Sequence, residues 1–266
     1  MCLLVLAWQA HPRYPLVVAA NRDEYHSRPA APLAKWPPPA EILAGRDLQA
    51  GGAWLGLDRA RRFGVVTNFR ELQRSHPGAP SRGALIPRYL GAAGGAGAAV
   101  SAAEFFGALQ REAREYSGFN LLLADRDSLW YGSNRGRPFA RPLLPGVYGL
   151  SNELLDTPWP KLERVRAGFE AWLRAGDQAT PEQLFALLAD RTPAAEAMLT
   201  SESGLPREWE RALSAPFVLH PQYGTRCSTL VLLEGDGRLY VAEHRFDARG
   251  EPAGETEFRL NSGAWP

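Results

Sequence analysis

Two antiparallel β-sheets between helical layers, an α+β architecture, is the fold predicted for residues 1–266 read as one domain. Two observations carry it. The strand-like runs come in pairs joined by short turns, and these pairs alternate with pairs of helices. A parallel doubly wound sheet would instead alternate single strands with helices. Two of the strands, Leu121–Ala124 and Leu230–Leu233, are apolar throughout, which implies cover on both faces.

The first pair is Met1–Trp8 and Leu16–Ala20, the second strand running into Asn21-Arg22-Asp23-Glu24. From Ser27 to Gln49 the chain is Pro-rich and reads as a long irregular loop. Ala53–Leu57 and Phe63–Thr67 form the next hairpin, turned through Asp58–Arg62. Helical spacing follows from Ser81 to Leu90, and the Ala/Gly-rich stretch from Gly91 to Ala99 reads as a flexible connection. Ser101 with Glu104 forms a capping box that opens a helix running to about Tyr116.

Phe119–Ala124 and Ser128–Tyr131 are a third hairpin, and Val147–Leu150 a short strand ending in Ser151-Asn152-Glu153. Thr157 and Pro158 start a helix to about Leu173 with the apolar stripe Leu162, Val165, Phe169 and Trp172. Another helix opens at Thr180-Pro181-Glu182-Gln183. Residues 191 to 222 read as loop with scattered helical turns. A last hairpin, Cys227–Leu233 and Arg238–Glu243, precedes a final strand at Glu255–Leu260.

At 45% hydrophobic, 266 residues can bury a substantial core. A net charge of +1 gives no basic field for nucleic acid or a membrane surface. The cations are almost all Arg, with Lys only at positions 35 and 161. Two cysteines, Cys2 and Cys227, supply neither a disulfide framework nor a Cys-based zinc site. The expectation is a cytoplasmic protein without signal peptide or membrane span, the initial apolar run being too short and lacking a basic stretch before it.

Cys2 is the residue that points to chemistry. Methionine is generally trimmed before a small residue, so the mature chain is expected to begin at Cys2. An N-terminal cysteine carries its own base, with an α-amine of pKa roughly 7.7–8.0 beside a thiol of roughly 8.5. If the first two strands pair antiparallel, the Asn21–Glu24 cluster lies beside Cys2. Arg22 then favours the thiolate and Asp23 orients the ammonium. Cys227, at the start of an apolar strand, reads as a small buried hydrophobe.

Several motifs carry a resemblance: Met1-Cys2, Ala19–Glu24, Arg28-Pro29, Gly52–Gly56, Thr67-Asn68, Tyr148–Asn152, Thr157–Trp159 and Tyr223–Arg226. Together they resemble the NRDE family, that of the Transport and Golgi organisation 2 protein, over essentially the whole chain. The resemblance implies an N-terminal-nucleophile (Ntn) hydrolase-like fold, a four-layer αββα sandwich. A more distant similarity to penicillin V acylases and bile-salt hydrolases implies roles for Cys2 as nucleophile, for Arg22, Asp23 and Arg226 around it, and for Asn152 as oxyanion donor. Asn68 is a further candidate donor, and Asn21, Trp54 and Tyr223 are candidate substrate contacts. One departure bears on Asp23. It adjoins Arg22, and adjacent strand residues point to opposite faces, so both reach Cys2 only if the strand has ended.

The function implied is that of a cysteine amidohydrolase acting on a small amide or acyl compound without a cofactor. The alternative implied by the family is a non-catalytic carrier for haem or an acyl-CoA lipid. His11, His26, His76, His220 and His244 are the histidines a haem would draw on, and none lies in a C-x-x-C-H motif.

Overall fold

The computed structural model describes residues 2–71, 78–91, 99–199 and 204–266. Most of the Ala/Gly-rich connection (92–98), His76 and Met1 lie outside the described residues. The chain divides into two compact units, one of Met1–Ser27, Pro145–Ser151 and Leu155–Arg259, the other of Arg28–Leu144, Asn152–Leu154 and Leu260–Pro266.

The first unit is built on β1 (Cys2–Trp8), β2 (Leu16–Tyr25), β10 (Gly146–Leu150), β11 (Tyr223–Leu233), β12 (Leu239–Phe246) and β13 (Pro252–Leu260). Its sheet order is β10-β1-β2-β11-β12-β13. The hairpins β1–β2 and β11–β12 join antiparallel through β2 and β11, and β10 pairs antiparallel with β1.

Strand periodicity of two decides which residues meet the helices. Leu3, Val5, Ala7, Val17, Ala19, Leu230 and Leu232 form one cluster with Leu162, Val165, Phe169 and Trp172 of α3 (Pro160–Arg174) and Leu184, Phe185 and Leu188 of α4 (Pro181–Leu188). Each fully buried Val, Leu or Phe side chain among them contributes about 1.5–3 kcal/mol. Helix α3 sits close against β10, where a Cβ on Gly149 would come within 2.8 Å of Leu162. Leu4, Leu6, Val18 and Val231, on the opposite face, are buried as well.

In the second unit β3 (Ala30–Lys35), β4 (Leu43–Asp47), β5 (Leu55–Leu57), β6 (Phe63–Asn68), β7 (Phe119–Ala124), β8 (Leu129–Ser133) and β9 (Ala140–Leu143) lie side by side in chain order, an antiparallel meander. Helices α1 (Leu85–Leu90) and α2 (Ala102–Leu109) bury Leu85, Ile86, Tyr89, Phe105, Phe106 and Leu109 with Val66, Phe119, Leu121 and Leu123. The Ser101–Glu104 capping box forms as expected.

Two antiparallel sheets, each with helices packed on it, agree with the mixed α+β expectation. Four local readings are corrected. The Pro-rich stretch after Ser27 contains β3 and β4, Pro32 being tolerated because β3 is an edge strand. Strand β2 runs on through the Asn-Arg-Asp-Glu cluster to Tyr25. Helix α2 stops at Leu109, and the stretch read as loop holds α5 (Arg207–Leu213).

Candidate functional site

Cys2 is the first residue of β1 and is half-buried. It pairs across the strands with Arg22, and Arg22 pairs on its other side with Cys227, which in turn pairs with Arg245. Directly opposed residues share a face with Cβ atoms about 4.5–5.5 Å apart. Cys2, Arg22, Cys227 and Arg245 therefore form one row across four strands.

Arg22 is only 6% exposed. One of its terminal nitrogens lies 4.0 Å from Glu24, two residues along the same strand and hence on the same face. Arg226 is the extra residue of a β-bulge, where the register shifts between Thr225 and Cys227. Its guanidinium donates to the carbonyls of Tyr25 (3.2 Å) and His26 (3.1 Å). Burial and the neighbouring charge of Arg22 both push its pKa down.

Burial governs both thiols. It raises the Cys2 thiol, with the charge of Asp23 adding to the rise; Arg22 and a hydrogen bond from the Asp23 N–H pull the other way without cancelling it. Arg22 stands opposite Cys2, as the antiparallel pairing implies, but burial outweighs its charge at the thiol. Burial lifts the Cys227 thiol well above its ordinary value, and Glu243, to which that thiol donates a hydrogen bond, reinforces the effect.

Asp23 lies on the other face, toward the helices. It is 2% exposed, and its Oδ1 accepts from the Thr225 hydroxyl at 2.7 Å. Thr225 is itself held by Val218, whose N–H donates to the same hydroxyl oxygen at 2.9 Å. Burial raises the Asp23 pKa, opposed chiefly by the ammonium of Lys161 on α3 and then by Thr225 and Arg22. Because β2 continues to Tyr25, Arg22 and Asp23 do diverge. Only Arg22 shares the row of Cys2, while Asp23 acts on the Cys2 sulfur through its charge and its backbone N–H.

Asn21 is fully buried on the helix-facing side. Its amide donates to the carbonyls of Leu188 (2.8 Å) and Pro216 (3.0 Å), and its oxygen accepts from Ser228 at 2.6 Å. It acts as a strut between the sheet, the last residue of α4 and the segment after α5. The Tyr223 hydroxyl donates to the Asp23 carbonyl at 2.7 Å.

The other two asparagines and Trp54 belong to the second unit. The Asn152 amide donates to the Asn68 carbonyl at 3.4 Å, and the Asn152 carbonyl accepts from the Arg70 N–H at 2.7 Å. Trp54 packs closely against Gly45, where an added Cβ would come within 2.3 Å of the ring.

Three residues escaped the sequence reading. Asn120, fully buried, donates to the Glu153 carbonyl at 2.8 Å and accepts from the Tyr131 hydroxyl at 2.8 Å, so it fixes the segment that carries Asn152. Ser151 donates to the Cys2 carbonyl at 3.2 Å. Lys161 is buried beside Asp23. Ser151 lay within the Tyr148–Asn152 motif, and Lys161 stood out as one of two lysines in a chain that otherwise uses Arg.

The four described histidines all take part in the fold. His11 Nδ1 accepts from the Arg13 and Tyr14 N–H groups, His26 Nε2 pairs with the His220 carbonyl, His220 Nδ1 accepts from the Gln222 N–H, and His244 stacks on Phe185. Among the described residues no three His, Cys, Asp or Glu side chains cluster to hold a metal ion, and no helix is long and apolar enough to cross a membrane.

Two antiparallel sheets, one of them carrying a cysteine opposite the Arg of an Asn-Arg-Asp-Glu strand, define an α+β chain of the NRDE class. The chain belongs to the Transport and Golgi organisation 2 family, whose model matches residues 1–248. It is 33% identical to the Transport and Golgi organization protein 2 homolog of Homo sapiens and 32% to that of Bos taurus, over 98% of this chain and all of each relative. The Drosophila melanogaster Transport and Golgi organization protein 2 is 25% identical over 96% of this chain and 95% of its own length.

Proposed function

We propose that the chain is a cysteine amidohydrolase of the Ntn kind, acting on a small amide or acyl compound with Cys2 as nucleophile once Met1 is removed. The observation that supports it is the register that sets Cys2 opposite Arg22 with Asp23 one residue on. Removal of Met1 gives Cys2 its own α-amine, a base matched to the thiol near neutral pH.

In this reading the amine takes the thiol proton and the sulfur bonds to the carbonyl carbon of the substrate. The C–N bond then breaks as the proton passes to the leaving nitrogen. Water attacks the resulting thioester, the acid departs and the thiol is restored. Arg22 stabilises the thiolate. Asn152 and Asn68 are carried over from the acylases as oxyanion donors, a role typically worth about 2.7–4 kcal/mol for one group.

A β-lactone probe tests this. Attack at its carbonyl breaks the ring C–O bond, so the intact mass should rise by one whole probe, localised to Cys2 and abolished in Cys2→Ala. Absence of an adduct on a processed chain, together with haem or acyl-CoA binding that Cys2→Ala leaves unchanged, would establish the carrier reading instead.

A further inference from the structure

The chain's second lysine sits where a cation is costly. Lys161 is 4% exposed in the first turn of α3, on the helix that packs against β1 and β10. Asp23 lies on the helix-facing side of the neighbouring strand β2, as the alternation Ala19, Asn21, Asp23 requires. A buried carboxylate is driven toward its neutral form unless an opposite charge or hydrogen bonds hold it.

Among the described residues, the groups that bear on Asp23 include Lys161 from α3, the Thr225 hydroxyl from β11, Arg22 from its own strand and Cys2 from β1. Arg22 shares the opposite face with Cys2, so it acts on Asp23 only across the strand. Thr225 supplies a neutral hydrogen bond. Lys161 brings a cation to Asp23 from the helix side of the sheet, and it is the largest charge opposing the effect of burial there. A lysine here is also informative by its kind, since 28 of the 30 basic residues are Arg, the other lysine being Lys35. The ammonium is a compact point charge, whereas a guanidinium spreads five donors over a planar fork.

We propose that Lys161 is a positioning residue for the Cys2 nucleophile, keeping Asp23 a carboxylate beneath the sheet so that it can hold the ammonium formed when Cys2's own amine takes the thiol proton. The assignment rests on the hydrolase reading above. It extends that reading from the strand that carries the motif to a helix some 140 residues away in sequence. Loss of the lysine charge leaves Asp23 protonated at a pH where the reaction needs it ionised.

The test follows β-lactone acylation of the processed chain by intact mass from pH 5 to 9, with thermal melting of each variant alongside. Lys161→Met should slow acylation about tenfold or more at pH 7, the scale of a lost acid–base contribution. Its acid limb should move to higher pH, while Lys161→Arg, which keeps the charge, should retain the wild-type limb. In an Asp23→Asn background, Lys161→Met should change the rate less than about twofold, because the carboxylate it serves is gone. A Lys161→Met profile that superimposes on wild type, or an equal shift with and without Asp23, would overturn the assignment. Titration of the Asp23 carboxyl carbon by NMR gives a readout that needs no turnover, and its midpoint should rise in Lys161→Met. Wild-type protein that forms no adduct while this midpoint still rises would sink the hydrolase reading alone, and a midpoint that stays put would sink the role of Lys161.

Discussion

Cys2 and Cys227 are cross-strand partners of the same residue, Arg22, one on either side of β2. The two thiols share a face, a sheet and a guanidinium, yet their surroundings differ. Cys227 is buried and donates to Glu243, whereas Cys2 is half-buried at a strand end.

Their reactivity should therefore separate. A neutral alkylating reagent should label Cys2 first, and labelling should accelerate as pH rises, because burial holds that thiol above its ordinary value. Arg22→Ala removes a charge that favours the thiolate, so labelling at neutral pH should slow while Cys227 remains protected. Peptide mapping after timed quenching reads both rates. Equal rates at the two cysteines would contradict the environments described.

Processing is the second expected outcome. N-terminal sequencing should find Cys2 as the first residue on most molecules. Predominant retention of Met1 would remove the α-amine from the mechanism.

Asn21→Ala should destabilise the fold by about 1–3 kcal/mol, because it leaves the buried carbonyls of Leu188 and Pro216 without their donor. Urea denaturation measures it. A change within about 0.5 kcal/mol would mean that the two carbonyls find other donors.

Asp47 should give the second unit an acid-sensitive contribution. Burial alone would raise its pKa, but the N–H groups of Ala50 and Gln49 and the guanidinium of Arg28 at 2.7 Å bring it below the usual carboxylate value. A folded-state pKa below the unfolded one stabilises the fold above the unfolded value, and the contribution disappears as pH falls through the folded value. Asp47→Asn should thus be less stable than wild type at pH 7, the gap closing under acid. A gap independent of pH would assign the loss to hydrogen bonding alone.

The pairing of the first two strands was legible in the sequence because antiparallel geometry places a strand's last residues beside its partner's first. Where β2 ends was not. Asn, Arg, Asp and Glu are poor strand formers, but Asn21 is matched by Ser228 and Asp23 by Thr225, and these partners lie 207 and 202 residues away. The same long-range matching hid the bulge at Arg226 and the lysine beneath Asp23. The edge strand β3 was masked by its proline. The capping box of α2, by contrast, depends on residues three apart and could be read directly.

The six-stranded sheet has one further consequence, for the order of synthesis. The hairpin β1–β2 receives its flanking strands from Gly146–Leu150 and Tyr223–Leu233, far later in the chain. Until the ribosome has delivered both, the outer edges of β1 and β2 stay open and the row through Cys2 is incomplete. The row through Cys2 and Arg22 gains Cys227 only once β11 has been made, near the end of translation.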